Sequence, residues 1–192
     1  MMNYKFRVFF LLSLVWSIQG CVAAAATGAV AGTAAVVDPR TTGTVIEDEA
    51  IELKARKALV SNKSVNEQVH INFTSYNTQV LVTGEAPTEE LRQQVIEMVR
   101  TTEKVKHVYN EVTIAAPSSM VSRSSDTVLT SKVKTKLLAS NDVRGNNVKV
   151  VTEKGIVYLM GLVTRKEADT AADIASQTGG VQKVVKLFEN TD

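Results

Sequence analysis

VLVTGEAPTEE, the stretch Val80–Glu90, has a counterpart in VYLMGLVTRKE, the stretch Val157–Glu167. In each stretch a run of mostly apolar residues reaches a glycine, Gly84 or Gly161, and residues that can begin a helix follow. A glycine at such a place indicates that a side chain would clash or that the backbone needs a positive φ. The two stretches predict the same strand-to-helix unit twice. They also predict a structural role for both glycines, so that substitution impairs folding first and function through it.

The same order of features surrounds both stretches, which makes the chain an internal repeat. Ahead of each stretch, apolar residues recur at every fourth position, as is typical of a helix with one buried stripe. These residues are Ile51, Ala55 and Leu59 in the first repeat and Leu129, Val133 and Leu137 in the second. Alternating apolar positions then predict paired strands. Thr164 and Glu167 predict a capping box at the start of a second helix.

Each repeat is therefore predicted to be an α+β domain with the element order αββαβ, in which a three-stranded mixed sheet packs against two helices. The predicted domains span residues 45–114 and 126–192. Between them, residues 115–125 (AAPSSMVSRSS) are rich in proline and serine, which predicts a linker.

The N-terminal residues predict export. Lys5 and Arg7 precede the uncharged, mostly apolar run 8–16, and small residues follow at Gly20. This is the order of regions in a secretory signal peptide, predicted here over residues 1–20. The run is too short to cross a bilayer core as a helix, which takes roughly 20 apolar residues.

Cys21 is the only cysteine, so the chain cannot form an internal disulfide. The sequence Ile18-Gln19-Gly20-Cys21 resembles the bacterial lipobox. That resemblance implies that Cys21 is the lipid attachment site and the first residue of a triacylated lipoprotein. Val22 then favours sorting to the outer membrane. Residues 21–44 are predicted to be a tether near the lipid surface, although the composition of residues 22–37 also allows a short membrane-proximal apolar segment.

The repeated stretches also carry a family resemblance. VLVTGEAPTEE and VYLMGLVTRKE, each followed by a helix and by a valine-rich strand such as VYNEV, resemble BON domains. With the signal peptide and the lipobox, the whole chain resembles the dual BON-domain outer-membrane lipoprotein family. The resemblance implies a non-enzymatic protein of the Gram-negative envelope, on the periplasmic face of the outer membrane. It further implies binding to anionic phospholipid, concentration at division sites and support of outer-membrane integrity.

The residues themselves favour neither catalysis nor a cofactor. His70 and His107 are the only histidines, and no cysteine or neighbouring acidic pair completes a metal site in the sequence, so none is predicted. The sequence lacks a Gly-x-Ser-x-Gly nucleophile turn and a phosphate-binding glycine loop. A formal net charge of only +2 gives no field for nucleic acid, and no nucleic-acid partner is expected.

Charge distinguishes the two repeats. Residues 44–114 hold 8 basic and 11 acidic residues, a net charge of −3, whereas residues 124–192 hold 10 basic and 8 acidic residues, a net charge of +2. The first helix of the second repeat is predicted to rest on anionic phospholipid, with apolar contacts and with ammonium groups that reach phosphates. The predicted phospholipid-binding residues are Val128, Ser131, Lys132, Lys134, Thr135, Lys136 and Leu138.

Two alternatives remain open from the sequence. In each repeat the first helix has a second, weaker apolar stripe away from its buried one, at Val128 and Leu138 in the second repeat and at Ala50, Leu53 and Val60 in the first. Both helices could therefore bury one face on their own sheet and the other face on the neighbouring domain. The protein could also be an adaptor that offers sheet edges or its acidic first domain to envelope assembly or division proteins.

Overall fold

In a computed structural model, the chain is described over residues 38–117 and 120–192, with the backbone alone for residues 120–122. The predicted signal peptide, Cys21 and most of the predicted tether lie outside the described residues. Residues 38–192 lie within one compact unit, which contains every hydrophobic cluster described below. A chain that starts at Asp38 therefore keeps every one of these clusters.

Each repeat forms the predicted order of helices and strands. The first contains α1 (Thr42–Ser61), a short helix α2 (Lys63–Asn66), β1 (His70–Tyr76), β2 (Gln79–Ala86), α3 (Glu89–Arg100) and β3 (His107–Ile114). The second contains α4 (Met120–Ala139), a 3₁₀ turn (Gly145–Asn147), β4 (Val148–Glu153), β5 (Ile156–Val163), α5 (Arg165–Ser176) and β6 (Lys183–Asn190).

Both sheets have three strands and the same mixed topology. The order is β1-β2-β3 in one sheet and β4-β5-β6 in the other, and the central strand pairs antiparallel with the first strand and parallel with the third. The crossover helices α3 and α5 begin at threonine N-caps, and Thr164 with Glu167 forms the complete capping box. The predicted α+β fold, a mixed sheet with two main helices in each repeat, is confirmed.

Two segments depart from the predicted organisation. Helix α4 begins at Met120, so residues 120–125 of the predicted linker are helical. Serine-rich composition indicates a loop only statistically, and no glycine or proline interrupts the chain between Pro117 and Gly145. Helix α1 likewise starts at Thr42, inside the predicted tether, because the hydroxyl of Thr41 accepts the amide of Thr44 at 3.1 Å and caps the helix.

The predicted helix stripes form the centres of two domain cores. Ile51, Ala55 and Leu59 are buried among residues of β1, β2 and α3. Val133 and Leu137 occupy the same place in the second domain, and Leu129 is 7% exposed. A third cluster joins the two sheets directly. Its buried members are Tyr76, Leu81, Tyr158, Met160 and Leu187, which come from both domains.

A buried aspartate near the start of each first helix holds the turn between the first two strands. Asp48 accepts the backbone amides of Asn77 and Thr78 at 2.8 and 2.7 Å and the hydroxyl of Ser75 at 2.7 Å. Asp126 accepts the backbone amides at the equivalent turn, from Lys154 and Gly155, at 2.8 and 2.9 Å. The carboxylates fix each helix against its hairpin.

Arg40 fastens the start of the described chain to the first domain. Its guanidinium lies 2.8 Å from carboxylate oxygens of both Asp38 and Asp48 and 4.0 Å from the ring centre of Tyr76. The hydrogen bond from Arg40 holds the pKa of Asp38 below its usual value. Since Tyr76 belongs to the cluster between the sheets, the N-terminal segment is fixed beside the domain junction.

Gly84 and Gly161 lie where a neighbouring backbone comes too close for a side chain. A Cβ at Gly84, whose φ is +116°, would lie 1.9 Å from the carbonyl oxygen of His70. A Cβ at Gly161 would lie 2.4 Å from the carbonyl oxygen of Asn147. The geometry gives a physical reason for the structural role predicted for both residues.

We expect Gly84→Ala to lower the free energy of unfolding by roughly 3 kcal/mol or more, because both backbone strain and a steric clash oppose it. Gly161→Ala, without a positive φ, should lower it by roughly 1–3 kcal/mol. Gly179→Ala is the matched control, since a Cβ there meets nothing within 4 Å. Urea denaturation of residues 38–192 measures all three, and equal losses at the three positions would contradict the assignment.

Candidate functional site

The exposed face of helix α4 carries every side chain that the sequence predicts to contact phospholipid. Val128, Ser131, Lys132, Lys134, Thr135, Lys136 and Leu138 are all exposed. Val128 and Leu138 keep 54% and 49% of their surface in solvent, while Val133 and Leu137 on the other side of the helix are fully buried. The structure thus leaves all seven predicted residues exposed on helix α4, and their contact with lipid stays a prediction.

The hydroxyl groups of this face are turned back onto the helix itself. Thr127, Ser131 and Thr135 donate to the carbonyls four residues earlier at 3.1, 3.0 and 2.9 Å. Serine and threonine side chains use this local bond to satisfy their donors without outside partners. The face is consequently less polar than its sequence implies, with carbon atoms and ammonium groups left to meet a ligand.

A shallow groove of about 580 Å³ separates helix α4 from the turn at Thr178–Gly179. Five of the predicted residues line the groove: Val128, Ser131, Lys132, Thr135 and Lys136. The ammonium group of Lys136 donates to the carbonyl of Gln177 at 3.3 Å, at the end of helix α5, where a cation interacts favourably with the helix dipole. Lys134 and Leu138 lie on the same helix outside the groove.

Solvent exposure shows whether the second apolar stripes of helices α1 and α4 are buried against the neighbouring domain, as the sequence allowed, or lie open to solvent. Leu53 and Val60 of helix α1 are 68% and 55% exposed, and Val128 and Leu138 of helix α4 are also exposed. Burial of these residues against the neighbouring domain is therefore wrong. The domains meet through the outer faces of their sheets instead, so the second stripes are left for other contacts.

A group of charged residues that no sequence pattern predicted lies at the junction between the two domains. The carboxylate of Glu85 is fully buried, with the ammonium of Lys154 at 2.9 Å and Nδ1 of His70 at 3.1 Å. The carboxylate of Glu153, from the second domain, accepts a hydrogen bond from the side-chain amide of Asn72 at 3.3 Å. One signal was available in the sequence, because Glu85 is the only charged residue in the otherwise uncharged strand β2.

His70, Glu85 and Glu153 come close enough to resemble a cation site. Their nearest ligand atoms all lie within 4.8 Å of one another, which corrects the expectation that no acidic pair accompanies His70. The ammonium of Lys154 already neutralises Glu85 in this arrangement, so the cluster is best described as an ion-pair network across the domain junction. Burial, aided by the negative charge of Glu85, raises the pKa of Glu153.

Among the residues that the structure describes, no helix combines the length and the apolar character that a bilayer span requires.

Comparison with known proteins places these features in a family. The model of the BON domain matches residues 47–116 and again 125–190. The chain is 38% identical to outer membrane lipoprotein DolP of Haemophilus influenzae, over 95% of this chain and 94% of that protein. It is 36% identical to a 21 kDa hemolysin of Actinobacillus pleuropneumoniae, over 79% and 78% of the two chains. It is 29% identical to osmotically-inducible protein Y of Escherichia coli, over 74% and 72%.

The raised pKa of Glu153 predicts a pH-dependent stability. The folded protein binds this proton more tightly than the unfolded chain, so the ionised carboxylate opposes folding at neutral pH. That penalty fades as the pH falls through the raised folded pKa towards the unfolded value of about 4.3. We expect Glu153→Gln to be more stable than the wild type at pH 7 and to lose its advantage by about pH 4.

Urea denaturation at a series of pH values measures this difference. The exposed Glu97→Gln, outside the domain junction, is the control and should show no such pH-dependent gain. A stability difference between Glu153→Gln and wild type that is the same at every pH would contradict the prediction.

Proposed function

The chain belongs to the BON-domain family, among the outer-membrane lipoproteins represented by DolP, and from this premise we propose that it is a non-enzymatic protein whose second domain binds anionic phospholipid. The exposed face of helix α4 carries this proposal. It presents Lys132, Lys134 and Lys136 beside apolar carbon, on the repeat that has the positive net charge.

The expected binding is weak and depends on salt. A lysine near an anionic membrane surface contributes about 1 kcal/mol, so three lysines alone correspond to a dissociation constant of roughly millimolar order. Shallow contact of Val128 and Leu138 with the interface adds apolar burial. Helix α4 carries no aromatic residue that could anchor it at the interface, which leaves charge as the main contribution.

Lipidation at Cys21 supplies the attachment that this face cannot provide alone. A single acyl chain binds membranes only marginally, whereas several chains on one residue hold firmly. The helix α4 face then selects the lipids near which the anchored protein stays. The first domain, with a net charge of −3, is mildly repelled by the same surface, and this difference favours an orientation with the second domain towards the bilayer.

The proposal extends to the role of the protein in the envelope. Selective binding to anionic phospholipid concentrates the protein at division sites and supports outer-membrane integrity. No reaction is assigned, and the names of the relatives describe a lipoprotein, a hemolysin and an osmotically induced protein rather than catalysed reactions.

We expect residues 38–192, which lack the anchor, to sediment with vesicles that contain phosphatidylglycerol and to remain free with vesicles of phosphatidylcholine alone. Replacing Lys132, Lys134 and Lys136 with Glu should abolish sedimentation, because the charges that face the lipid change sign. Raising the ionic strength from about 50 to about 500 mM, where the Debye length falls to roughly 4 Å, should weaken wild-type binding as well.

The matched control replaces Lys63, Arg100 and Lys106 with Glu. These three residues are exposed on the first domain, so the net charge changes equally while the helix α4 face is untouched. If the variant in which Lys132, Lys134 and Lys136 are replaced with Glu binds vesicles as well as the wild type does, the proposal is wrong. Crosslinking in cells that finds a stoichiometric protein partner on the acidic first domain, with no lipid contact, would favour the adaptor function instead.

A further inference from the structure

The turn before the third strand has the same backbone in both domains. The amide of Lys106 in the first domain and that of Gln182 in the second each donate to a carbonyl of their own β-hairpin turn at 2.9 Å. Counting back from these amides makes Glu103–Lys104 equivalent to Gly179–Gly180. The second residue of each pair has a positive φ, +73° and +106°. We call the two pairs the 103–104 turn and the 179–180 turn.

Each turn borders a hollow that an equivalent lysine of the first helix also lines. Lys54 lies six residues after the buried Asp48, and Lys132 lies six residues after the buried Asp126. The hollow between helix α1 and the 103–104 turn has a volume of about 270 Å³, and the one between helix α4 and the 179–180 turn has a volume of about 630 Å³. The larger hollow adjoins the groove described above and shares Lys132 with it. The two domains therefore have the same site in two sizes.

In the first domain, ion pairs between helix and turn close the hollow. The ammonium of Lys54 lies 3.1 Å from the carboxylate of Glu103, and the ammonium of Lys104 lies 3.4 Å from the carboxylate of Glu47. The hydrogen bond from Lys54 holds the pKa of Glu103 below its usual value, so this carboxylate stays ionised at neutral pH. The first domain thus supplies its own anion to the helix lysine.

In the second domain, the helix lysine has no such anion. Gly179 stands in place of Glu103, and a Cβ at Gly179 would meet nothing within 4 Å. Lys132 is exposed and forms no ion pair with any residue that the structure describes. The backbone amides of Gly179 and Gly180 likewise donate to no described group. An open hollow therefore lies where the first domain places a carboxylate.

The other charged groups that line this hollow already have partners. The carboxylate of Asp126 accepts the backbone amides of Lys154 and Gly155 at 2.8 and 2.9 Å. The ammonium of Lys154 lies 2.9 Å from the carboxylate of Glu85. Among the described residues, Lys132 is consequently the one charged side chain of the hollow that has no partner. A lysine ammonium in such a position binds phosphate as a point charge.

We propose that the hollow beside the 179–180 turn takes the phosphate of an anionic phospholipid headgroup, held by Lys132, and that Glu103 excludes such a phosphate from the equivalent place in the first domain. This inference rests on the proposed lipid binding and deepens it. Because the hollow shares Lys132 with the groove on the helix α4 face, a bilayer that contacts this face brings its headgroups to the hollow. In the first domain the same approach would place a phosphate against the carboxylate of Glu103, and like charges repel.

NMR titration of residues 38–192 with monomeric dihexanoyl phosphatidylglycerol locates the headgroup. We expect the amides of Gly179 and Gly180 and the ammonium of Lys132 to shift in the wild type. Gly179→Glu gives the second domain the carboxylate of the first, and it should abolish these shifts at Gly180 and Lys132. Gly179→Gln has the same size without the charge and should respond as the wild type does. Thr135→Glu adds the same charge on helix α4 outside the hollow and should keep the shifts.

Two results would overturn the proposal. One is a Gly179→Glu variant that responds as the wild type does. The other is a Thr135→Glu variant that loses the shifts to the same extent, because the loss would then come from the general charge of the face. Urea denaturation of each variant checks that the fold is intact, as the open space around Gly179 predicts.

Inorganic phosphate distinguishes a lipid headgroup from a free anion. It lacks the acyl chains that contact the exposed Val128, so it should give the same shifts only at about tenfold higher concentration. An equal response to inorganic phosphate and to the lipid would show a site for free phosphate or an adventitious ion only, and the lipid assignment would be wrong.

The first domain offers the reciprocal test. Glu47→Ser, Glu103→Gly and Lys104→Gly together give it the residues that the second domain has at the equivalent positions. Glycine suits the positive φ at position 104. The short-chain lipid should then shift the amides of the altered 103–104 turn, which should not respond in the wild type. An altered turn that does not respond would contradict the role of Glu103 in excluding phosphate.

Failure of this inference differs from failure of the proposed function. If the wild type sediments with phosphatidylglycerol vesicles and the lipid shifts residues of helix α4 but not the 179–180 turn, only the headgroup assignment is wrong. If the wild type neither sediments nor responds at any residue of helix α4, the proposed lipid binding is wrong and the headgroup site falls with it.

Discussion

The fold depends on one buried carboxylate in each domain. Asp48 and Asp126 stand on the first helix of their repeats and accept the backbone amides of the hairpin turn. An unpaired carboxylate in the interior is very unfavourable, so the helix cannot shift along the sheet without breaking these bonds. The position of the helix thus fixes which face of the sheet is the domain core. The other face is left to be covered by something else.

The second domain covers the outer face of the first sheet, the face that helix α1 leaves open. Leu81 and Tyr158 come from the central strands, and both are buried in the cluster between the sheets. Polar contacts surround this apolar centre, including the hydrogen bond from Asn77 to Glu189 at 2.9 Å and the ion pair between Glu85 and Lys154. The two repeats are therefore one cooperative structure, because either sheet alone would expose large apolar side chains to water.

The parts of the structure that local patterns determine could be predicted from the sequence. Helical periodicity predicted that Ile51 and Val133 lie in the cores and that the seven residues of the helix α4 face are exposed. The glycine at the end of strand β2 likewise predicted a place where a side chain would clash, as it does at Gly84. The junction between the domains could not be predicted. A run such as VLV shows that both faces of a strand are buried, but not what covers each face. Glu85 and Lys154 lie too far apart in the sequence for any local pattern to pair them, and side-chain rotamers decide where the hydroxyls of helix α4 donate.

The contacts of Arg40 with Asp48 and Tyr76 fix the point at which the chain joins the folded domains, and they thereby set the length of chain between the proposed lipid anchor and those domains. With Cys21 as the anchor, Asp38 lies 17 positions further along the chain (38 minus 21), and that segment can extend at most about 60 Å. With the anchor that we propose, a tether this short holds the helix α4 face at an effective concentration of millimolar order near the membrane. In the function that we propose, a face with only millimolar affinity for anionic lipid is then occupied for a substantial part of the time, and it still exchanges rapidly between neighbouring lipids.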